Sequence, residues 1–277
     1  MSQNFDLGTN AKFFDMLGVV PAQLQNTFPD TIEMDRMGNG FQQDGLRSGL
    51  LCTARSGSSL LSVALQAYGF DFQEFLNPNG YLRDLIAQED VTALSDLAPK
   101  LEASARENGR LSIKLPVVTL SYLFLMGEFP ANIDRWRFVY LRRSNLVQQA
   151  ISAVIAKRTN KWTAVMEAKG SVDVDDFDFD EIMKGVTAAS NGNRLLERFI
   201  GLFGLTVHNV VYEDFLKDQK AGLREIAAFL GADPADYPNA AEDKPWITKQ
   251  ATSLNDIWED RFRTEVRRRS LPVFAGQ

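Results

Sequence analysis

Histidine and cysteine are almost missing from this chain. Its 277 residues hold one of each, His208 and Cys52. A single cysteine excludes an intramolecular disulfide framework, and one histidine with one cysteine cannot build the usual zinc site. Long apolar runs are missing too, and no stretch approaches the roughly 20 residues that cross a bilayer as a helix. The first residues, Met1-Ser2-Gln3-Asn4-Phe5-Asp6, have neither a basic start nor an apolar core. No secretory signal is therefore expected, and the cytoplasm is the expected compartment. Excess positive charge is absent: 30 Lys and Arg stand against 36 Asp and Glu, a net charge of −6. That argues against a nucleic-acid partner, which calls for a basic field. Internal repeats and low-complexity linkers are also lacking.

What is present is an alternation. Apolar, strand-like runs fall at 48–53, 110–115, 137–141 and 206–212. Helical patterns fall at 58–68, 80–88, 92–107, 117–126, 146–158, 179–202, 222–230 and 254–268. Alternation of this kind predicts an α/β fold, a mostly parallel central sheet with helices on both faces. Apolar residues make up 45%, enough for a sizeable core, and Cys52 inside its apolar strand is expected to pack there. Residues 1–45 precede the first strand and are read as an N-terminal extension of unknown role, leaving one domain over 46–277. Within the extension Phe13, Phe14, Met16 and Leu17 suit a short amphipathic helix. It lacks the basic polar face of a membrane-surface helix, so the expected contact is the core or a second copy of the chain, as in a homodimer. The acidic stretch 173–181 lacks the glycine and terminal glutamate of a calcium loop; its acids suit a lid or a helix start.

Two segments carry chemistry. In the first, the run Leu50 to Cys52 stops at Thr53-Ala54-Arg55-Ser56-Gly57-Ser58-Ser59, and an apolar helical pattern starts at Leu60. A strand, a tight loop and a helix start direct several N–H groups at one point, where the helix dipole favours an anion. The loop has neither the spacing nor the lysine of a Walker A motif; Arg55 is its cation. Alone it could equally be an ordinary serine cap. The second segment repeats the plan: Arg137 to Leu141, then Arg142-Arg143-Ser144-Asn145, then a helix from Leu146. Paired arginines at the carboxyl end of a strand suit a second phosphate, because guanidinium meets oxyanions with paired donors. Two such loops can hold both ends of one nucleotide; the plain alternative for the second is a solvated basic turn.

The two segments together resemble the phosphosulfate-binding elements of sulfotransferases, and most closely those of bacterial carbohydrate sulfotransferases of the trehalose 2-sulfotransferase and lipopolysaccharide sulfotransferase type. Ala54-Arg55-Ser56-Gly57-Ser58-Ser59-Leu60-Leu61 is similar to the first element, and Tyr140-Leu141-Arg142-Arg143 through Gln149-Ala150-Ile151-Ser152 to the second. Trp162, Tyr212-Glu213-Asp214-Phe215, Lys249-Gln250-Ala251-Thr252 and Asp256-Ile257-Trp258 follow in the order of that family. The resemblance implies a P-loop-like three-layer fold and a sulfuryl donor, 3′-phosphoadenosine 5′-phosphosulfate (PAPS), with PAP as product. It implies a hydroxyl acceptor on a carbohydrate or glycolipid. It also implies roles: Arg55, Ser56, Gly57, Ser58 and Ser59 on the 5′-phosphosulfate; Arg143 and Ser152, helped by Arg142, on the 3′-phosphate; Lys249, Gln250 and Thr252 closing over the nucleotide. Ala54 and Ser59 replace a proline and a threonine. The acceptor-side motif is only partly present as Phe72-Gln73-Glu74-Phe75, and the lysine strand reads Leu111-Ser112-Ile113-Lys114-Leu115-Pro116.

Sulfuryl transfer needs a base for the acceptor proton, cations and N–H donors for the charge, and in-line geometry. Glu74 is the candidate base, matching the family's glutamate, although a loop glutamate by itself is ordinarily just solvated. His208 is the rival, inside an apolar strand that suits a core histidine. Lys114, at a strand's carboxyl end, is a candidate for facing the sulfuryl group or the acceptor, or for a plain surface lysine. Two other classes stay open on the residues alone. One is a kinase-like phosphotransferase, disfavoured by the missing Walker lysine. The other is a nucleotide-binding protein of the same fold that is non-catalytic or of different specificity.

Overall fold

The computed structural model describes residues 40–77, 80–89, 91–107, 110–162, 166–233 and 252–274. Among the described residues five strands form one sheet: β1 (Arg47–Cys52), β2 (Arg106–Glu107), β3 (Arg110–Pro116), β4 (Trp136–Arg142) and β5 (Val207–Val211), in the order β2-β3-β1-β4-β5. The pairs β3–β1, β1–β4 and β4–β5 are parallel; only the two-residue β2 runs antiparallel, Arg106 opposite Leu111. Every residue of β1 is buried, as expected of a central parallel strand covered on both faces. Successive side chains leave a strand on opposite sides, and the two cores divide accordingly. Leu51, Leu115, Phe138 and Tyr140 enter one apolar cluster, while Leu50, Cys52, Val139 and Leu141 enter the other.

The helices are α1 (Ser58–Gln66), α2 (Tyr81–Gln88), α3 (Leu94–Ala105), α4 (Leu120–Leu125), α5 (Leu146–Thr159), α6 (Phe179–Leu202), α7 (Tyr212–Phe215), α8 (Gln219–Phe229) and α9 (Ser253–Phe274). Residues of α2, α3, α4 and α6 join the first cluster, and residues of α1, α7 and α8 join the second. The result is the expected three-layer α/β architecture with a P-loop-like strand–loop–helix at β1–α1. A third cluster joins α5, α6 and α9 through Ile151, Val154, Ile182, Trp258 and Phe262. No helix among the described residues is long and apolar enough to cross a membrane.

Local chemistry explains where elements start. Asp178 caps α6 by accepting from the Glu181 N–H at 2.9 Å, and Asp173 caps the short turn Val174–Asp176. The acidic stretch is thus a pair of helix starts. Asp218 accepts from the Ala221 N–H and starts α8 at Gln219, earlier than 222. The sequence pattern over 206–212 runs one residue too far: Tyr212 opens α7, whose first turn carries Glu213 and Asp214, acids favoured at a helix start. Likewise the pattern over 92–107 covers both α3 and β2. Residues 1–39, which hold Phe13, Phe14, Met16 and Leu17, lie outside the described residues.

At the amino ends of the strands, Arg47 and Glu128 form a fully buried ion pair at 2.5 Å. Glu128 also accepts from the Trp136 indole at 2.7 Å and the Phe41 N–H at 2.8 Å, and Arg47 donates to the carbonyls of Phe41 and Gln43. Removing one partner strands a buried charge, which costs roughly 3–5 kcal/mol. Arg47→Met should lower the unfolding free energy by about that much. Adding Glu128→Gln, which removes the stranded charge and keeps an acceptor oxygen for the Trp136 indole or the Phe41 N–H, should recover part of the loss, and denaturant titration of the single and double variants checks both outcomes.

Candidate active site

Parallel register brings three loops to one edge of the sheet. Cys52, the last residue of β1, pairs with Pro116 of β3 and Leu141 of β4. The segments that follow are Thr53–Gly57, the turn after Pro116, and Arg143-Ser144-Asn145. Ligands of open α/β sheets bind at this end of the strands.

In the first loop Arg55 and Gly57 both have left-handed backbones, φ 60° and 101°. Such alternation turns consecutive N–H groups toward a common point. Gly57 precedes α1 and has no side chain to cap it, so the helix's first N–H groups stay available to a ligand. Ser56 is buried, and its hydroxyl has no hydrogen-bond partner among the described residues. Ser58 instead faces inward to the thiol of Cys52, which burial pushes up to about 11. The loop is fixed from behind. Buried Gln149 donates to Thr53 Oγ1 at 2.9 Å and to the Ala54 carbonyl at 2.7 Å, and Thr53 donates to Asn193 Oδ1 at 3.3 Å. Gly192 permits this approach of α6: a Cβ there would sit 2.7 Å from the Thr53 methyl.

In the second loop, Arg143 lies with its guanidinium 4.4 Å from the Tyr212 ring centroid. Its Nε is buried without a hydrogen bond to any described residue, 3.8 Å from a Glu213 oxygen. Glu213 accepts from the N–H groups of Ser144 at 2.9 Å and Asn145 at 3.2 Å. Burial alone would raise its pKa, but these N–H bonds outweigh burial and hold it below the usual carboxylate range. Asn145 caps α5 by accepting from the Gln148 N–H and donates to Glu259 of α9 at 2.9 Å. Arg55 reaches across to this side, donating from Nε to Ser152 Oγ at 3.0 Å and from Nη1 to the Trp162 carbonyl. Burial first, and Arg143 second, lower the pKa of Arg55, though a guanidinium stays charged. Arg55, Arg143 and Ser152 thus form one cationic group.

Beside β3 the chain after α1 returns along the strand: Gln73 bridges Ile113, and the Lys114 N–H donates to the Gln73 carbonyl at 2.9 Å. This sets Glu74 beside Lys114. The buried ammonium of Lys114 lies 2.7 Å from Glu74 Oε1 and 3.1 Å from Ser59 Oγ, so it bridges the glutamate to the first loop. Asn77 donates to the other Glu74 oxygen at 3.2 Å.

The remaining candidates lie apart or outside view. Alternation puts Arg142 on the Tyr140 face of β4, away from Arg143. His208 packs 5.5 Å from the Phe229 ring, three residues short of the end of β5; burial lowers its pKa against the opposing pull of Glu225. Thr252 donates from its N–H and hydroxyl to Asn255 ahead of α9, while Lys249 and Gln250 lie outside the described residues. Sequence reasoning gave no role to Gln149, Asn193, Tyr212 or Glu213. Gln149 and Tyr212-Glu213 stood inside the quoted motifs, where a polar group amid apolar neighbours was the available signal.

Residues 126–265 match the Stf0 sulphotransferase family. This protein belongs to that family. The matched span takes in the second loop, Tyr212, Glu213 and much of α9, while the first loop precedes it. No curated protein matches the sequence. Solved structures of similar shape include a sulfotransferase domain from the Synechococcus PCC 7002 olefin synthase (16% identity, 82% of this chain and 98% of that one, TM-score 0.46). Others are a retinol dehydratase in a complex with retinol and PAP (15%, 90% and 84%, 0.46) and a sulfotransferase from Alicyclobacillus acidocaldarius (16%, 83% and 96%, 0.43). These likenesses are too distant to bear weight; the family match carries the assignment. The sulfotransferase's cofactor is PAPS, and the residues present fit it. Among the described residues Ser56 Oγ and Arg143 Nε are buried polar atoms without hydrogen bonds, one in each basic loop, and such atoms call for a partner.

Gln149→Leu keeps the volume but removes the donor shared by Thr53 and Ala54. It should destabilise the sulfotransferase by about 1–3 kcal/mol and weaken binding of adenosine 3′,5′-bisphosphate. Denaturant titration and calorimetry check the pair of effects.

Proposed function

We propose that this sulfotransferase moves a sulfuryl group from PAPS to a hydroxyl of a carbohydrate or glycolipid, and does so in the cytoplasm. The observation that carries the reading is the Lys114 ammonium held between Glu74 and Ser59, because it joins a carboxylate base to the anion-binding loop. PAPS, when bound, supplies the sulfuryl group on a phosphate leaving group. In this reading Arg55, Ser56, Gly57, Ser58 and Ser59, with the amino end of α1, hold the 5′-phosphosulfate, with Ser58 acting through the support it gives at Cys52. Arg143 and Ser152 hold the 3′-phosphate. Arg142 contributes charge from the neighbouring face. Thr252, with Lys249 and Gln250, closes over the nucleotide. Glu74 takes the proton of the acceptor hydroxyl, and Lys114 steadies negative charge beside it. The acceptor class rests on the resemblance to carbohydrate sulfotransferases in the two loop motifs.

A ligand with phosphates at both ends should satisfy both basic loops. Adenosine 3′,5′-bisphosphate should therefore bind at least about tenfold tighter than 5′-AMP, about 1.4 kcal/mol; equal affinities in a calorimeter would remove the two-loop reading. Transfer of labelled sulfate from PAPS to a panel of sugars and glycolipids tests the acceptor class.

Glu74→Gln keeps shape and loses basicity. Turnover should fall about 10²–10⁴-fold, the usual contribution of general-base catalysis, with bisphosphate affinity nearly unchanged. Single-turnover assays on folded protein decide it: an active Glu74→Gln beside an inactive His208→Gln would transfer the role to His208.

A further inference from the structure

The two phosphate-binding loops meet on a single aromatic ring. Tyr212 is buried, with 7% of its surface exposed. The Arg143 guanidinium of the second loop lies 4.4 Å from its centroid. The first loop packs against the same ring: a Cβ on Gly57 would meet its Cδ2 and Cε2 atoms, the latter at 2.6 Å. Gly57 holds φ 101° there, a backbone that glycine adopts without cost. Neither loop can shift far without displacing the ring. Arg143 also lies 3.8 Å from a carboxylate oxygen of Glu213, the next residue along the chain from Tyr212, and that carboxylate holds the backbone of Ser144 and Asn145.

We infer that Tyr212 is a positioning residue that couples the two ends of the nucleotide site, so that the shape of the 5′-phosphate loop and the placement of the 3′-phosphate arginine depend on one side chain. The inference rests on the proposed nucleotide reading. Its physical basis is packing: a ring wedged between the Gly57 backbone and a guanidinium transmits displacement because close-packed interiors deform little. The cation–π contact fixes the guanidinium plane on the ring face, and the ring supplies this contact without its hydroxyl.

Calorimetric titration with 5′-AMP, 3′-AMP and adenosine 3′,5′-bisphosphate separates coupling from a local role. Ser56→Ala should weaken 5′-AMP alone, and Arg143→Ala 3′-AMP alone. Tyr212→Leu should weaken both mononucleotides, each by about tenfold or more, and Tyr212→Phe should restore both. Gly57→Ala gives a second route that leaves Tyr212 in place: by displacing the ring it should weaken 3′-AMP, a ligand of the other loop. If Tyr212→Leu affects only one mononucleotide, or Gly57→Ala leaves 3′-AMP unaffected, the coupling is overturned while the nucleotide reading stands. If Tyr212→Phe is as impaired as Tyr212→Leu, the hydroxyl and not the shared ring is responsible, and the coupling is again overturned. If wild-type protein binds none of the three nucleotides, the functional reading itself fails and the coupling with it.

Discussion

Everything at the site follows from the parallel register of β1 with its two neighbours. Cys52 pairs with Pro116 on one side and Leu141 on the other, so three chain segments turn off the sheet at one level. Antiparallel pairing would have sent alternate loops to opposite ends. Parallel strands require long crossovers, which α1 to α3 and α4 supply, and the crossovers bury both faces of β1. The sheet thus delivers Arg55, Lys114 and Arg143 to one edge although more than fifty residues of sequence separate the first from the second.

A protein of net charge −6 holds three cations at that edge of the sheet, and acids flank two of them, Lys114 and Arg143. Glu74 meets Lys114, Glu213 stands beside Arg143, and Glu259 ties down Asn145 and Gln148 at the start of α5. These carboxylates do more than offset charge. Glu213 and Asn145 satisfy the N–H groups of the second turn and of α5, and groups so bonded hold a loop in one conformation. The amino end of the sheet is arranged differently. The buried Arg47–Glu128 pair, closed by Trp136 and Phe41, joins residues 40–43 to the domain and contributes to folding rather than chemistry.

The alternation of strands and helices was legible because each element carries its own period and punctuation. β1, β3 and β4 are short apolar runs, and α6 runs over 179–202 as its acidic start and apolar repeat imply. The edges were less legible. β2 is two residues long and exists only because Arg110–Pro116 offers it an edge, and Tyr212 leaves the strand pattern because the following acids favour a helical turn.

The sequence alone determined the α/β class and the two basic strand–loop–helix units, since these are local patterns of residue type and spacing; Glu74 stood out only through the resemblance to the sulfotransferase acceptor-side motif. Tertiary structure decided which of those residues meet. It drew Arg55 toward Ser152 and Arg143, set Lys114 between Glu74 and Ser59, turned Ser58 toward Cys52 and left His208 against Phe229. It also gave Gln149 and Tyr212 their work, holding one loop from behind and filling the space between both. No local pattern encodes such contacts, because each depends on a register and a helix approach fixed by packing many residues away.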